Sequence, residues 1–320
     1  MDVIWLIALG LLLGGWFVLD GFNLGLGMLL PFLGRDEAER RTVLAAMGPF
    51  FLAGEVWLVG TAGVLAGAFP FLEADLLHGL YLLIVALLLS WVLRDAGVWF
   101  RSRRESARWR RGWDRVIVGG SFGLAGSAGL LIGNVLDGVP LRGASEGLGI
   151  LDPFAVLCAA TVIAIFAVHG AAFGALKLPR EHALRAGRLG MRLVPVVLAL
   201  AGASTVLGFL FTGVRESVVL PWPALAVVVI GVLAVPLAGR MLAAGHEVRA
   251  FALTALAAAT PVLTVGAGLA PRLLEGVAHA MTLDRLSMMA LPVIPVLVLL
   301  QVWMWWVFRR RVGADSVVFF

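Results

Sequence analysis

The sequence predicts an all-α, polytopic membrane protein of about nine transmembrane helices, and three observations carry that prediction. The first is composition: 61% of the 320 residues are hydrophobic and 14% charged, with a mean hydropathy of +0.99, a balance that no soluble domain of this size holds. The second is a series of apolar runs near residues 4–33, 48–71, 76–99, 115–137, 152–174, 192–213, 220–239, 249–270 and 287–308. Each has about 20 residues or more, enough to cross a hydrocarbon core of roughly 30 Å. The third is the placement of arginine between those runs.

Counted from the N-terminus, the odd-numbered loops carry Arg35, Arg40 and Arg41, then Arg101, Arg103, Arg104, Arg108, Arg110, Arg111 and Arg115. They continue with Lys177, Arg180, Arg185 and Arg188, then Arg240 and Arg249, and the tail adds Arg309, Arg310 and Arg311. The even-numbered loops hold little beyond Arg142, Arg215, Arg272 and Arg285, accompanied by acids such as Asp137, Glu146, Glu216, Glu275 and Asp284. Positive charge retained on one side of a membrane gives this alternation when the N-terminus is outside and the C-terminus cytoplasmic. The second run is the weakest, because it holds Glu55 and five glycines, and a re-entrant segment is its alternative. Removing it would break the alternation. Met1-Asp2-Val3 offers no basic region before the first run, which therefore reads as a retained helix and not a signal peptide.

Charge and cysteine content exclude several classes. The net charge of +5 resides in short-loop arginine clusters, which in a membrane chain serve orientation and lipid contact, so no nucleic-acid role is expected. Cys158 is the sole cysteine, leaving no internal disulfide and no thiolate metal site; it reads as a small buried apolar residue. No Walker loop, dinucleotide fingerprint, HExxH or GxSxG is present.

The first run, around WFVLDGFNLGLGMLLPFLGRDEAERR, organises the rest. Asp20 lies deep inside it, and an ionisable group near mid-bilayer costs roughly 2.5 to 3.5 kcal/mol, so it faces protein or water and not lipid. Asn23 and Gly27 share its helical face, and Gly21 with Gly25 forms a small-xxx-small pair that admits a second backbone. The second run adds Glu55 and Trp57, and the third ends with Arg94 and Asp95, for which snorkelling to the interface is the plain alternative to burial. Buried carboxyls serve either as structural hydrogen-bond partners between helices or as groups that relay protons. Further glycine pairs, Gly10/Gly14, Gly63/Gly67, Gly129/Gly133 and Gly170/Gly174, suggest close helix contacts, and Trp303, Trp305 and Trp306 read as an interfacial belt. Among five histidines, His182, His246 and His279 lie in loops and read as solvated, while His78 and His169 lack an intramembrane histidine partner for a haem.

These motifs resemble subunit II of the cytochrome bd family of quinol oxidases nearly end to end. The resemblance rests on FVLDGFNLGLGMLLPFLGRDEAERR, on GPFFLAGEVWL followed by GAFP, and on VLRDAGVWFRSR with ARWRRGWD, then GNVLDGVP, DPFAVL, VHGAAFGALK and VWMWWVFRRR, in that order. It implies one integral membrane domain over 1–320, built of two helical bundles, about 1–137 and about 150–312, plus a peripheral helix. It implies a bacterial cytoplasmic membrane location and pairing with a larger subunit I, which holds haem b and haem d and reduces dioxygen with quinol. Subunit II itself would bind no haem, would support assembly, and in some members holds a quinone or a proton path; membrane lipids and a small accessory subunit are further partners. Asp20, Glu55, Trp57 and Arg94 match the family's polar positions and are expected on a proton path or facing subunit I.

The sequence departs from that pattern where the family has Trp-Asp-Gly-Asn before its Glu/Gln-Val-Trp: here Phe51, Leu52, Ala53 and Gly54 stand, so Leu52 replaces an acid associated with proton entry. Asn23 and Trp99 likewise occupy positions that are acidic in some members. The rivals are a paralogue with a purely structural role and a secondary transporter with a midplane site at Asp20, Glu55 and Arg94, whose helices would be broken near that site.

Overall fold

Segments this apolar must satisfy every backbone polar group internally, and helices do so within one segment. The computed structural model describes residues 1–138 and 151–313. In order these form α1 (Asp2–Leu19), α2 (Gly21–Leu33), α3 (Glu37–Ala68), α4 (Pro70–Gly79), α5 (Tyr81–Phe100), a 3₁₀ turn (Arg101–Arg103) and α6 (Ala107–Leu136). There follow α7 (Pro153–Lys177), α8 (Arg180–Leu210), α9 (Thr212–Ser217), α10 (Pro221–Ala243), α11 (Glu247–Glu275), α12 (Ala280–Ala290) and α13 (Val293–Val307). Among the described residues nine helical stretches are long and apolar enough to cross a membrane, with α1–α2 and α12–α13 each counting as one. The short α4 and α9 connect spans. Arg142 and Glu146, and the end of the GNVLDGVP motif, lie outside the described residues.

The helices extend beyond the apolar runs. α3 begins at Glu37 and not near residue 48, because Asp36 caps it, accepting from the Glu39 N–H at 2.8 Å, and Glu37 and Glu39 lie in its positive first turn. Its 32 residues form one helix across the weak second run, without re-entry. α7 lies at the centre, packed against α2, α6, α8 and α11, while α1 packs on α3 and α11. The α2–α7 crossing depends on Gly25, where a Cβ would collide with the Phe166 carbonyl, and on Gly170 opposite it. This is the close approach expected of the Gly21/Gly25 pair.

The chain end is tied down as well. Lys177 Nζ donates to the Phe308 carbonyl at 2.6 Å, the Val312 N–H donates to the Lys177 carbonyl at 2.8 Å, and Arg311 Nη1 donates to the carbonyls of Ala175 and Leu178 at 2.7 and 2.8 Å. Arg311 and the Val312 N–H thus satisfy carbonyls at the C-terminal end of α7, and Lys177 satisfies the one just past the end of α13, groups that a helix leaves without internal partners. Trp305 does not join the expected belt. It lies in a ring cluster with Phe22, Phe50, Phe173 and Phe251, whereas Trp303 and Trp306 are 62% and 61% exposed. Residues three apart share a helical face, and residue 305 turns to the other.

Candidate functional site

The first span is interrupted at Asp20, between α1 and α2, although its backbone remains in the α region at φ −99°, ψ −24°. Asn23 explains the joint: its side-chain Nδ2 donates to the Leu19 carbonyl at 3.1 Å, the acceptor its own backbone N–H would ordinarily use. The Asp20 carboxyl accepts from Trp16 Nε1 at 3.2 Å and lies 3.5 Å from Asn23 Nδ2. Trp16 and Asp20 are four residues apart and therefore stacked on one face. α3 approaches this joint through Gly54, whose added Cβ would meet Asp20 Cβ and the Leu19 carbonyl at 3.1 Å.

Across the joint stands Arg94 of α5. Its Nη2 lies 3.1 Å from Asp20 Oδ2 and 3.1 Å from Glu55 Oε1, and its Nε lies 2.9 Å from Asp95 Oδ1. Snorkelling is overturned for this residue: Arg94 is 0% exposed, because Asp20 at the α1–α2 joint, Glu55 of α3 and Asp95 of its own helix hold the guanidinium inside the bundle and the Phe51 ring covers it at 5.8 Å. The site thus gathers three carboxyl groups around one cation. Asp20 is enclosed within this chain, while the Asp95 side chain retains 22% exposure and that of Glu55 10%. Both sit beside an apolar surface of exposed Leu52, Val56 and Val92.

Sequence reasoning grouped four residues, and the structure brings three of them together. Trp57 stays apart; its indole lies on Gly15 of α1, where an added Cβ would overlap the ring, so it packs α3 on α1. Asp95 belongs to the site through Arg94, and Trp16 through Asp20. The i, i+4 spacing of Trp16 was readable; the approach of Glu55 to Arg94 was not, because it depends on how α5 is rotated.

A second charged cluster closes one end of the bundle. Arg101 Nε donates to Asp114 and its two Nη atoms donate to Glu37 at 3.1 and 2.9 Å. Arg40 also reaches Asp114 at 2.9 Å, Arg41 and Arg110 reach Glu37 at 3.0 and 3.2 Å, and Arg185 reaches Glu39 at 2.7 Å. His182, expected in solvent, lies 3.3 Å from Glu39 Oε1 with its side chain 16% exposed, because α8 begins against the start of α3. The remaining loop histidines, His246 and His279, are exposed, as is His78. His169 is buried, and both its ring nitrogens are within hydrogen-bond distance of protein oxygens, so neither is open to an iron. Among the described residues no group of three or more histidine, cysteine or acidic side chains is arranged to hold a metal ion.

Between α6, α7, α8, α10 and α11 lies an apolar cavity of about 410 Å³. Its walls include Phe154, Cys158, Val162 and Val235; the Thr161–Ser204 hydroxyl pair, 2.8 Å apart, and Arg215 supply polar groups.

Four matches to known proteins bear on this arrangement. The family model described as cytochrome bd terminal oxidase subunit II matches residues 1–308. The cytochrome bd ubiquinol oxidase subunit 2 of Bacillus subtilis (strain 168) is 29% identical over 97% of this chain and 96% of its own. The cytochrome bd-I ubiquinol oxidase subunit 2 of Escherichia coli (strain K12) is 33% identical over 64% of this chain, and the match spans 57% of that protein. A chain in the structure of bd oxidase from Geobacillus thermodenitrificans has the same fold, with a TM-score of 0.69 at 11% identity over 96% of this chain and 97% of that one.

Proposed function

The chain belongs to the cytochrome bd terminal oxidase subunit II family, and from that premise we propose that it is the non-haem subunit of a quinol oxidase that delivers protons to a haem-bearing subunit I and supports its assembly. The observation that carries the proposal is the gathering of Asp20, Glu55 and Asp95 around Arg94, with the Glu55 and Asp95 edge reaching the α3–α5 surface. Hydrocarbon cannot solvate a carboxyl group, so that edge requires a polar partner or water, and subunit I is the partner we assign to it. More carboxyl groups than cations give the site somewhere to take up a proton. With Leu52 in place of an acid, the path in this chain rests on Asp20, Glu55 and Asp95. The haems belong to the partner and supply electron transfer to dioxygen; the side chains here hold and pass protons. The transporter reading keeps only the helix interruption, which Asn23 accounts for.

Amide substitution tests this. Asp20→Asn and Glu55→Gln keep shape and hydrogen bonding but cannot relay a proton. Turnover with quinol, normalised to haem d, is expected to fall about tenfold or more for Glu55→Gln with haem content intact. Unchanged turnover in both variants assigns this chain a purely structural role.

The apolar cavity is the place we assign to a bound quinone, the isoprenoid body against Phe154, Val162 and Val235 and the polar head near Thr161, Ser204 or Arg215. Filling it with Ala201→Phe should remove quinone from the purified complex, read by chromatography of a solvent extract; full retention would place the quinone elsewhere. We also place the N-terminus outside the bacterial cytoplasmic membrane and the C-terminal arginines in the cytoplasm. A topology reporter after Ala74 should then score external and one after Glu105 internal, and the same side for both would refute the orientation.

A further inference from the structure

One buried titratable side chain is unused by the proton site. His169 of α7 is 0% exposed, stacked on Phe251 at a centroid distance of 4.8 Å and met edge-on by Phe22 at 5.8 Å. Its Nε2 lies 2.9 Å from the Val18 carbonyl. A carbonyl only accepts, so this nitrogen carries a proton and donates. Nδ1 faces Thr254 Oγ1 of α11 at 2.8 Å.

The landing point of the Nε2 bond gives it significance. Val18 is in the last turn of α1, two residues before the interruption at Asp20, where helix carbonyls lack internal partners. Its neighbour Leu19 is served by Asn23. A carbonyl left unpaired at membrane depth is costly, so the joint needs donors from side chains. We propose that His169 is a positioning residue for the Asp20–Arg94–Glu55 site: its bond to the Val18 carbonyl fixes the interruption that aims Asp20 at Arg94 and Trp16, and its contact with Thr254 ties that joint to α11. The role rests on the proton-site reading of Asp20.

The test uses the whole complex in membranes, with quinol turnover per haem d as the readout. A glutamine amide nitrogen reaches the place of Nε2, whereas an asparagine amide reaches only that of Nδ1. His169→Gln should keep turnover within about twofold, and His169→Asn and His169→Leu should lose about tenfold, as expected when a buried acceptor loses its donor. Equal loss in all three, equal retention in all three, or rescue by asparagine and not glutamine overturns the role. If His169→Leu does not assemble, the glutamine and asparagine pair still decides. Asp20→Asn run alongside separates the two readings. A silent Asp20→Asn removes the proton role of Asp20 and with it the positioning role, leaving Glu55 to its own test, while a strong Asp20→Asn effect beside silent His169 variants removes only the positioning role.

Discussion

The two charged clusters are built from the same groups and differ in redundancy. At the bundle end Glu37 and Asp114 each have more than one cation: Glu37 contacts Arg41, Arg101 and Arg110, and Asp114 contacts Arg40 and Arg101. At membrane depth three carboxyl groups share the guanidinium of Arg94. Glu37 is also 39% exposed on its side chain, against 1% for Asp20, so water screens the Glu37 pairs more than the Asp20–Arg94 pair. A redundant, wetted cluster is a fastening that tolerates losses. A dry one with a single cation concentrates the consequences of any change on one residue.

The largest effect should therefore come from Arg94→Leu. Removing one partner of a buried charge group costs about 3 to 5 kcal/mol, and here it strands three carboxyls. The complex should fail to assemble, seen as loss of haem d absorbance in membranes and of the complex on native gels. Normal assembly would mean that the central cluster is as forgiving as the outer one. Arg101→Leu should be milder, about 1 to 2 kcal/mol, because Glu37 and Asp114 each retain a cation; a thermal melt of the purified complex should drop by a few degrees with turnover preserved. Raising the salt concentration should lower the melting temperature of the wild-type complex more than that of Arg101→Leu, through Glu37 and its arginines, and leave the Glu55→Gln turnover defect unchanged.

The same contrast explains what could be read in the sequence. The nine candidate spans among the described residues were legible because hydropathy reports what can lie in lipid, and Asp20 stood out because an acid inside such a run needs a reason. Helix starts were not, since α3 and α8 continue into charged turns that hydropathy scores as loop. The partner of Asp20 was out of reach for another cause. Arg94 lies 74 residues away, and its direction depends on the rotation of α5, which an almost uniformly apolar helix does not reveal. Glycine spacing succeeded at Gly21/Gly25 and Gly129/Gly133, where backbones of α2 and α6 meet α7, and failed at Gly10 and Gly63, which face open space. The role of His169 is not legible in the sequence, because haem ligation calls for histidine pairs and the partners of this ring are a carbonyl and a hydroxyl.

The fastening of Lys177 to Phe308 sets a timetable for biosynthesis. The two residues are 131 positions apart, and a ribosome adding about 5 to 20 residues per second needs roughly 7 to 26 seconds to make the second after the first. Throughout that interval the end of α7 waits with its ammonium and its carbonyls unmet. That is long enough for insertion machinery or a lipid headgroup to occupy it, and short enough that a slowly translated stretch before residue 308 would prolong the exposure appreciably.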